Sequence, residues 1–351
     1  MVSPTAVQKN GEDWARQNPV GTGPFKFVTY QKDVKLVATK FADYWQKGKP
    51  YLDGLEIDIL ADTNTREMAF EAGDLDVAFI MEGKQAEDMK AAGYQYLELP
   101  SSIRPVHALV PSSSLPTSPL SDVRVRQAIG YAIDRQTLCN ALGYGLKIPL
   151  HQIAPIGSAA FILGLETQGQ YNPTKAKQLL AAAGYPNGFK TRIITNPSWL
   201  DRNMTVALQA QLAKVGIQAA LEFPEIGKYT QYRFTPAGWG DGLMYQEFAN
   251  WPLYPVHLSF YWNHNPAQFF TTKYPDGMDA LVKAILTNDV VDPKQVQQFD
   301  QMMFDNETVI PLYELDKVAF VKKGVHDTHI LNYGFKDDWT PADAWIEKSA
   351  Q

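Results

Sequence analysis

Between Phe189 and Phe223 the chain writes out one complete folding unit. An apolar-rich strand over 189–195 is followed by an amphipathic helix over about 202–215, Gly216 as a stop, and a second strand over 217–223. Two strands joined by a single helix of this length run parallel, because a crossover is needed, and such crossovers are right-handed. This one unit excludes a helical bundle or a β-sandwich for its region and sets the fold class as α/β.

The same alternation continues elsewhere. Residues 25–30 and 34–38 alternate apolar and polar around Gln31-Lys32-Asp33 and predict a β-hairpin. Leu55, Ile57 and Ile59 mark a half-buried strand. Asp62 or Thr63 caps a helix that runs through Ala72 to Gly73. Leu75–Ile80 reads as a strand, 84–92 as a helix and Tyr94–Leu99 as a strand. Ser121 or Asp122 caps a helix whose inner face is Val125, Ala128, Ile129, Ala132 and Ile133. Asn172-Pro173 opens another helix, closed at Gly184. Further on, helices are expected at about 277–287 and 293–306, with strands at Val309–Tyr313 and Val318–Val321. The loop composition of residues 111–121 marks the expected crossing between two domains.

A length of 351 residues is more than one hydrophobic core usually organises. Net charge is −6, which argues against a nucleic-acid partner. No apolar run is long enough to span a membrane, and Met1-Val2-Ser3-Pro4 shows no signal-peptide pattern. Cys139 is the single cysteine; its place in an apolar-periodic helix makes it a packing residue. His257 and His264 lack a third ligand at a metal-binding spacing, and no nucleophile elbow surrounds Ser158. Neither metal, cofactor nor catalytic residues are expected. Arg124, Arg126, Asp134 and Arg135 are read as caps and ion pairs between elements.

The texture changes between 229 and 274, where 14 of 46 residues are aromatic. Trp239, Tyr245, Trp251, Tyr254 and Trp262 exceed what one strand and one helix need for packing. Aromatic faces in a cleft hold planar or apolar ligand groups at low entropic cost. Arg233, Asp241 and Glu247, interleaved with them, would orient a ligand. About half of these rings are expected to be core.

Several strings then carry a resemblance. Pro19-Val20-Gly21-Thr22-Gly23-Pro24-Phe25-Lys26-Phe27 comes first, then Asp43-Tyr44-Trp45 and Lys49-Pro50-Tyr51-Leu52-Asp53. Asp122-Val123-Arg124-Val125-Arg126-Gln127-Ala128-Ile129 with Ala132-Ile133-Asp134-Arg135 follows. Asn172-Pro173, Ala176-Lys177-Gln178-Leu179-Leu180 and Ala183-Gly184-Tyr185-Pro186 complete the order. The chain resembles the family 5 extracellular solute-binding proteins, which capture oligopeptides, dipeptides or nickel complexes for ABC importers.

The resemblance implies a two-lobed α/β clamp with mixed sheets flanked by helices. Residues 1–110 and 319–351 would form one lobe and 111–318 the other. It implies a peptide or other small-molecule ligand, an ABC permease as partner, a periplasmic or extracellular location and binding without chemistry. In the family the Gly-Thr-Gly strand follows a whole first segment, so the first lobe is expected to be incomplete, with an open sheet edge through which copies could pair. Peptide-binding members carry Trp-Gly-x-Asp-Tyr at the end of a strand, with Asp on the ligand's α-amino group. Here Asp241 matches by spelling, and Asn250 or Trp251 by position, so an uncharged anchor such as that for an oligosaccharide also fits. Two alternatives stay open: an enzyme on the same layers, which turnover would reveal, and a truncated fragment that binds no ligand or serves as an interaction module.

Overall fold

The computed structural model describes residues 3–80, 83–196, 201–235, 238–249, 254–262, 269, 271–331 and 341–348. The chain divides into two compact units, Met1–Glu98 with Lys317–Gln351, and Leu99–Asp316.

The first unit opens with helices α1 (Pro4–Asn10) and α2 (Glu12–Gln17). Strands β1 (Phe25–Gln31), β2 (Lys35–Lys40) and β3 (Gly54–Asp58) form an antiparallel sheet in that order. The expected hairpin closes through Asp33, which takes φ 58°, and the Val34 N–H donates to the Gln31 carbonyl at 3.0 Å. Helix α3 (Thr63–Ala72) starts where the Asp62 carboxylate accepts the Thr65 N–H at 2.8 Å. It ends at Gly73, whose φ of 84° suits a residue without a Cβ. Strand β4 (Val77–Ile80), helix α4 (Gly83–Ala91) and strand β5 (Tyr96–Glu98) follow. Strand β12 (Val318–Val321) lies between β4 and β5, antiparallel to both, so the C-terminal part of the chain re-enters this unit. Strands β13 (Val325–His326) and β14 (Trp345–Ile346) make a short ribbon.

The second unit is built on one six-stranded sheet, ordered β7-β11-β6-β10-β8-β9. Its strands are β6 (Val106–Pro111), β7 (Lys147–Pro149), β8 (Lys190–Ile194), β9 (Gln218–Glu222), β10 (Leu243–Phe248) and β11 (Ile310–Leu315). Strands β8 and β9 pair in parallel from Lys190↔Gln218 to Ile194↔Glu222, as the sequence predicts. The intervening helix α8 (Arg202–Ala213) begins where Asp201 accepts the N–H groups of Asn203 and Met204. Glycine is needed where the chain enters β8 beside the end of this crossover: a Cβ on Gly188 would sit 2.0 Å from the Gly216 carbonyl oxygen. Strand β10 runs parallel to β8 and antiparallel to β6.

The remaining helices are α5 (Val123–Ala132), α6 (Arg135–Leu142), α7 (Pro173–Ala182), α9 (Ile226–Phe234), α10 (Tyr254–Tyr261), α11 (Met278–Thr287) and α12 (Pro293–Asp305). The expected inner face of α5 is buried. Asp122 and Asp134 cap α5 and α6. Arg124 forms an ion pair with the cap residue Asp122 at 2.6 Å, but the two buried arginines do something other than the expected ion pairing. Buried Arg126 donates to the carbonyls of Leu120, Ser121, Asn306 and Glu307, and buried Arg135 to those of Gly130 and Pro311. Each planar fork thus satisfies main-chain acceptors that loops and helix ends leave unpaired. Buried Cys139 has its thiol pushed up to about 12, chiefly by burial, which leaves it unreactive.

The Pro- and Ser-rich stretch 111–121 is a loop, but it lies inside the second unit, between β6 and α5. The compact units part at Glu98/Leu99 and Asp316/Lys317. Residues 106–110, expected in the first lobe, belong to a strand of the second unit's sheet whose six residues are all buried. Turn-forming composition shows where the chain bends, not which sheet its neighbours join.

Candidate functional site

The aromatic segment is mostly a foundation. Trp239, Phe248, Tyr261, Trp262 and Phe269 are each at most 3% exposed. Phe248 stacks on Trp262 at 5.7 Å between ring centres and meets Tyr261 edge-on at 5.0 Å. Helix α10 grips the end of β10 through polar groups as well. The Ala249 N–H donates to the Tyr261 hydroxyl at 2.9 Å, and the Ala249 carbonyl accepts from His257 Nδ1 at 3.2 Å. Trp262 Nε1 donates to His257 Nε2 at 3.3 Å, so this imidazole is neutral with its proton on Nδ1. Burial holds its pKa down to about 4.

This foundation fixes where β10 stops. Beyond Met244↔Ile194 the strand outruns β8, leaving residues 245–248 paired to β6 alone. The end of β10 thus lies at the carboxyl end of parallel strands, where the sheet changes from parallel to antiparallel, the usual place for ligands in open α/β sheets.

A polar cluster occupies one face at this level. His107 of β6 pairs across the sheet with Glu247 of β10 and Tyr313 of β11. Its ring is stacked on Tyr313 at 4.6 Å and 12°. His107 Nε2 lies 3.3 Å from the Glu247 carboxylate, close enough for attraction but not aligned as a hydrogen bond. Both nitrogens are buried without a hydrogen-bond partner, a costly arrangement in a packed interior. The hydroxyls of Tyr245 and Tyr313 bond to each other, and burial pushes both phenols well up. Lys147 of β7 bridges to Asp201 at 2.7 Å, with its ammonium over the Tyr313 ring at 5.8 Å.

The eight expected site residues separate. Glu247 lies in this cluster with its side chain one-quarter exposed. Tyr245 belongs to it too, but as a fully buried member, and Trp239 is buried with its Nε1–H directed to the Gly242 carbonyl. Neither ring is exposed: Trp239 meets Phe269 edge-on in the aromatic foundation, while Tyr245 is sealed within the polar cluster through its bond to Tyr313. Arg233 is also buried, its guanidinium over the rings of Phe234, Phe260, Tyr261 and Phe269 at 5.0–5.6 Å. Burial is the main influence on its pKa, which is lowered. Asp241 is exposed and tied to the loop before α5, where Ser118 Oγ donates to it at 2.5 Å. Asn250 and Trp251 lie outside the described residues, as does the side chain of Tyr254. Sequence reasoning missed His107 and Tyr313. The signal for His107 was present: one imidazole inside the otherwise apolar run Pro105-Val106-His107-Ala108-Leu109-Val110.

Among the described residues no group of three His, Cys, Asp or Glu is placed to hold a metal ion, and no helix is long and apolar enough to cross a membrane. A concavity of about 480 Å³ opens elsewhere on this unit, between α8 and strands β8 and β9; it contains none of the expected site residues.

Known proteins share this framework. The chain is 30% identical over 332 residues to a glutathione-binding protein, GsiB, of Shigella flexneri, and 32% identical over 308 residues to that of Salmonella choleraesuis. These alignments take in 89% and 82% of the chain but 62% and 57% of the relatives, so it spans about three fifths of their length. Among solved structures, the agropinic acid complex of AgaA from A. tumefaciens R10 superposes with a TM-score of 0.78 at 26% identity, covering 99% of this chain and 71% of that one. The Helicobacter pylori protein DppA with bound peptide reaches 0.82 at 23% identity, over 99% and 68%, and supports the fold alone. A family model described as bacterial extracellular solute-binding proteins, family 5, middle, matches residues 1–259. With the mixed sheet and its flanking helices, that match settles the family: the chain belongs to the bacterial extracellular solute-binding proteins of family 5.

Proposed function

We propose that this chain serves as a solute-binding component of an ABC importer, capturing a small solute with peptide or amino-acid character outside the cytoplasm and passing it to a membrane permease. The observation that carries the reading is the end of β10. The fold anchors this strand from beneath with an aromatic core, and presents at its carboxyl end a partly exposed carboxylate, Glu247, against a buried imidazole with no protein hydrogen bond. A rigid support under a polar surface suits recognition. In this reading the mechanism is binding and desolvation of the solute, without chemistry, in keeping with relatives named for binding.

Asn250, Trp251 and Tyr254, which follow directly in the chain, are proposed as the remaining contacts beside Glu247. A carboxylate there favours a ligand with an ammonium or hydroxyl donor. The glutathione that the relatives are named for and the agropinic acid of the AgaA structure fall in this class. Isothermal titration of the full chain with glutathione, dipeptides and opines tests the proposal. Saturable binding with no turnover of the bound compound is expected. Absence of binding to every member of the panel, or conversion of any of them, would overturn it.

A further inference from the structure

The ribbon of the first unit builds a second candidate site, unrelated to the end of β10. Strands β13 and β14 pair His326 with Trp345, and the imidazole stacks on the indole at 4.3 Å and 25°. The indole Nε1–H donates to the Asp327 carboxylate at 2.9 Å. Trp345 is thereby fixed by its strand, one ring face and its single donor, yet remains 39% exposed. Beside it opens a surface pocket of about 500 Å³ lined by Tyr51, Asp327, His329, Asp343 and Trp345. That is within the size range of small-molecule sites.

The lining has a definite chemical bias. Tyr51 supplies a second ring that is 55% exposed. Of the two carboxylates, Asp343 is matched by Lys49, with which it forms an ion pair. Asp327 is matched only by the neutral indole donor, and no cation among the described residues lies within ion-pair distance of it. Glu347, directly after β14, bonds His326 Nε2 at 2.9 Å. Two rings on one pocket wall with a carboxylate that no described cation pairs attract a cation twice over, through the ring quadrupoles and through charge. An inorganic divalent ion is the poorer match, since the described residues hold no three-ligand group. From this juxtaposition we infer that the pocket between Tyr51 and Trp345 is a binding site for a small organic monocation of the quaternary-ammonium or alkylammonium class.

The test follows the Trp345 indole N–H signal of the full chain by two-dimensional NMR, with the signal assigned through Trp345→Phe. Choline chloride is titrated at constant ionic strength, against its neutral isostere 3,3-dimethylbutanol and against glucose. The inference expects a saturable shift with choline and none with the two neutral compounds. Asp327→Asn should weaken choline binding by about tenfold or more. Tyr51→Leu, at an exposed ring, should weaken it as well while leaving the other indole signals in place, which keeps the test valid should Asp327→Asn disturb the ribbon. No saturable shift with choline would overturn the inference. So would an equal response to the isostere, preference for glucose, or variants that bind choline as tightly as the parent chain.

Discussion

The two units apply the same sheet-building rules but bury their sheets to different degrees. In the second unit β6 and β11 lie between other strands, and every residue of both is buried. In the first unit, β1–β3 alternate just as faithfully. Phe27, Ala38 and Leu55 form one cross-strand row and Tyr30, Leu36 and Ile57 the next on the same face, with charged residues opposite. Yet Tyr30 and Ile57 are 50% and 42% exposed. Alternation fixes which face of a sheet is apolar; it does not supply the layer that covers it. Stability should therefore be concentrated in the second unit, and substitutions can be used to break or sharpen that contrast.

The largest expected effect is Phe248→Ala, which empties the centre of the aromatic foundation and should cost about 3–5 kcal/mol in urea denaturation. A loss as small as that of a surface change would refute the concentration of stability there. Next is Arg104→Ala. The Arg104 guanidinium reaches Glu314 at 3.2 Å and Asp316 at 2.9 Å, and both carboxylates are nearly sealed from solvent. Removing the cation leaves two buried acids, at about 3 kcal/mol. Part of this loss should return on acidification, because burial already raises the Glu314 pKa.

A smaller effect is expected from Glu307, whose backbone adopts φ 42°. Its carboxyl packs so closely on α5 that a Cβ on Gly130 would lie 2.8 Å from Oε1. Burial pushes its pKa up from 4.5 to about 8, against the opposing pull of Arg135 and Arg126. The folded form therefore holds a proton that the unfolded chain has already released. This contribution is complete below about 4.5 and is lost as pH rises through 8. Melting temperature should fall between pH 5 and pH 8.5 more steeply in the parent than in Glu307→Gln; parallel curves would contradict the assignment. His257 acts in the opposite sense. Its folded pKa of about 4 lies below the ordinary 6.5, so stability is lost as pH drops through that interval. The smallest effect is Ile57→Thr on the open face of the first unit, which should change stability by less than about 0.5 kcal/mol. A loss comparable to that of Phe248→Ala would show that this face is packed.

Much of the second unit was legible because its signals are local. Asn172-Pro173 at a helix start and Gly216 at the parallel crossover each act within a few residues, and each appears where the spacing predicts. The site was legible only in part. Glu247 and Tyr245 came from composition, but His107 and Tyr313 join them through pairings more than 130 residues apart in the chain. Composition does not say which rings are core: Trp239, Phe248 and Trp262 are buried because a strand that ends without a neighbour needs a floor, and large rings fill one with few residues.

The proposal that the end of β10 is where a solute binds is tested most directly by amide hydrogen exchange, with and without the compound selected by titration. The account predicts new protection concentrated in peptides covering 243–249 and 106–111, with β1–β3 unchanged. Binding that leaves 243–249 unprotected, or protects only other segments, would contradict it.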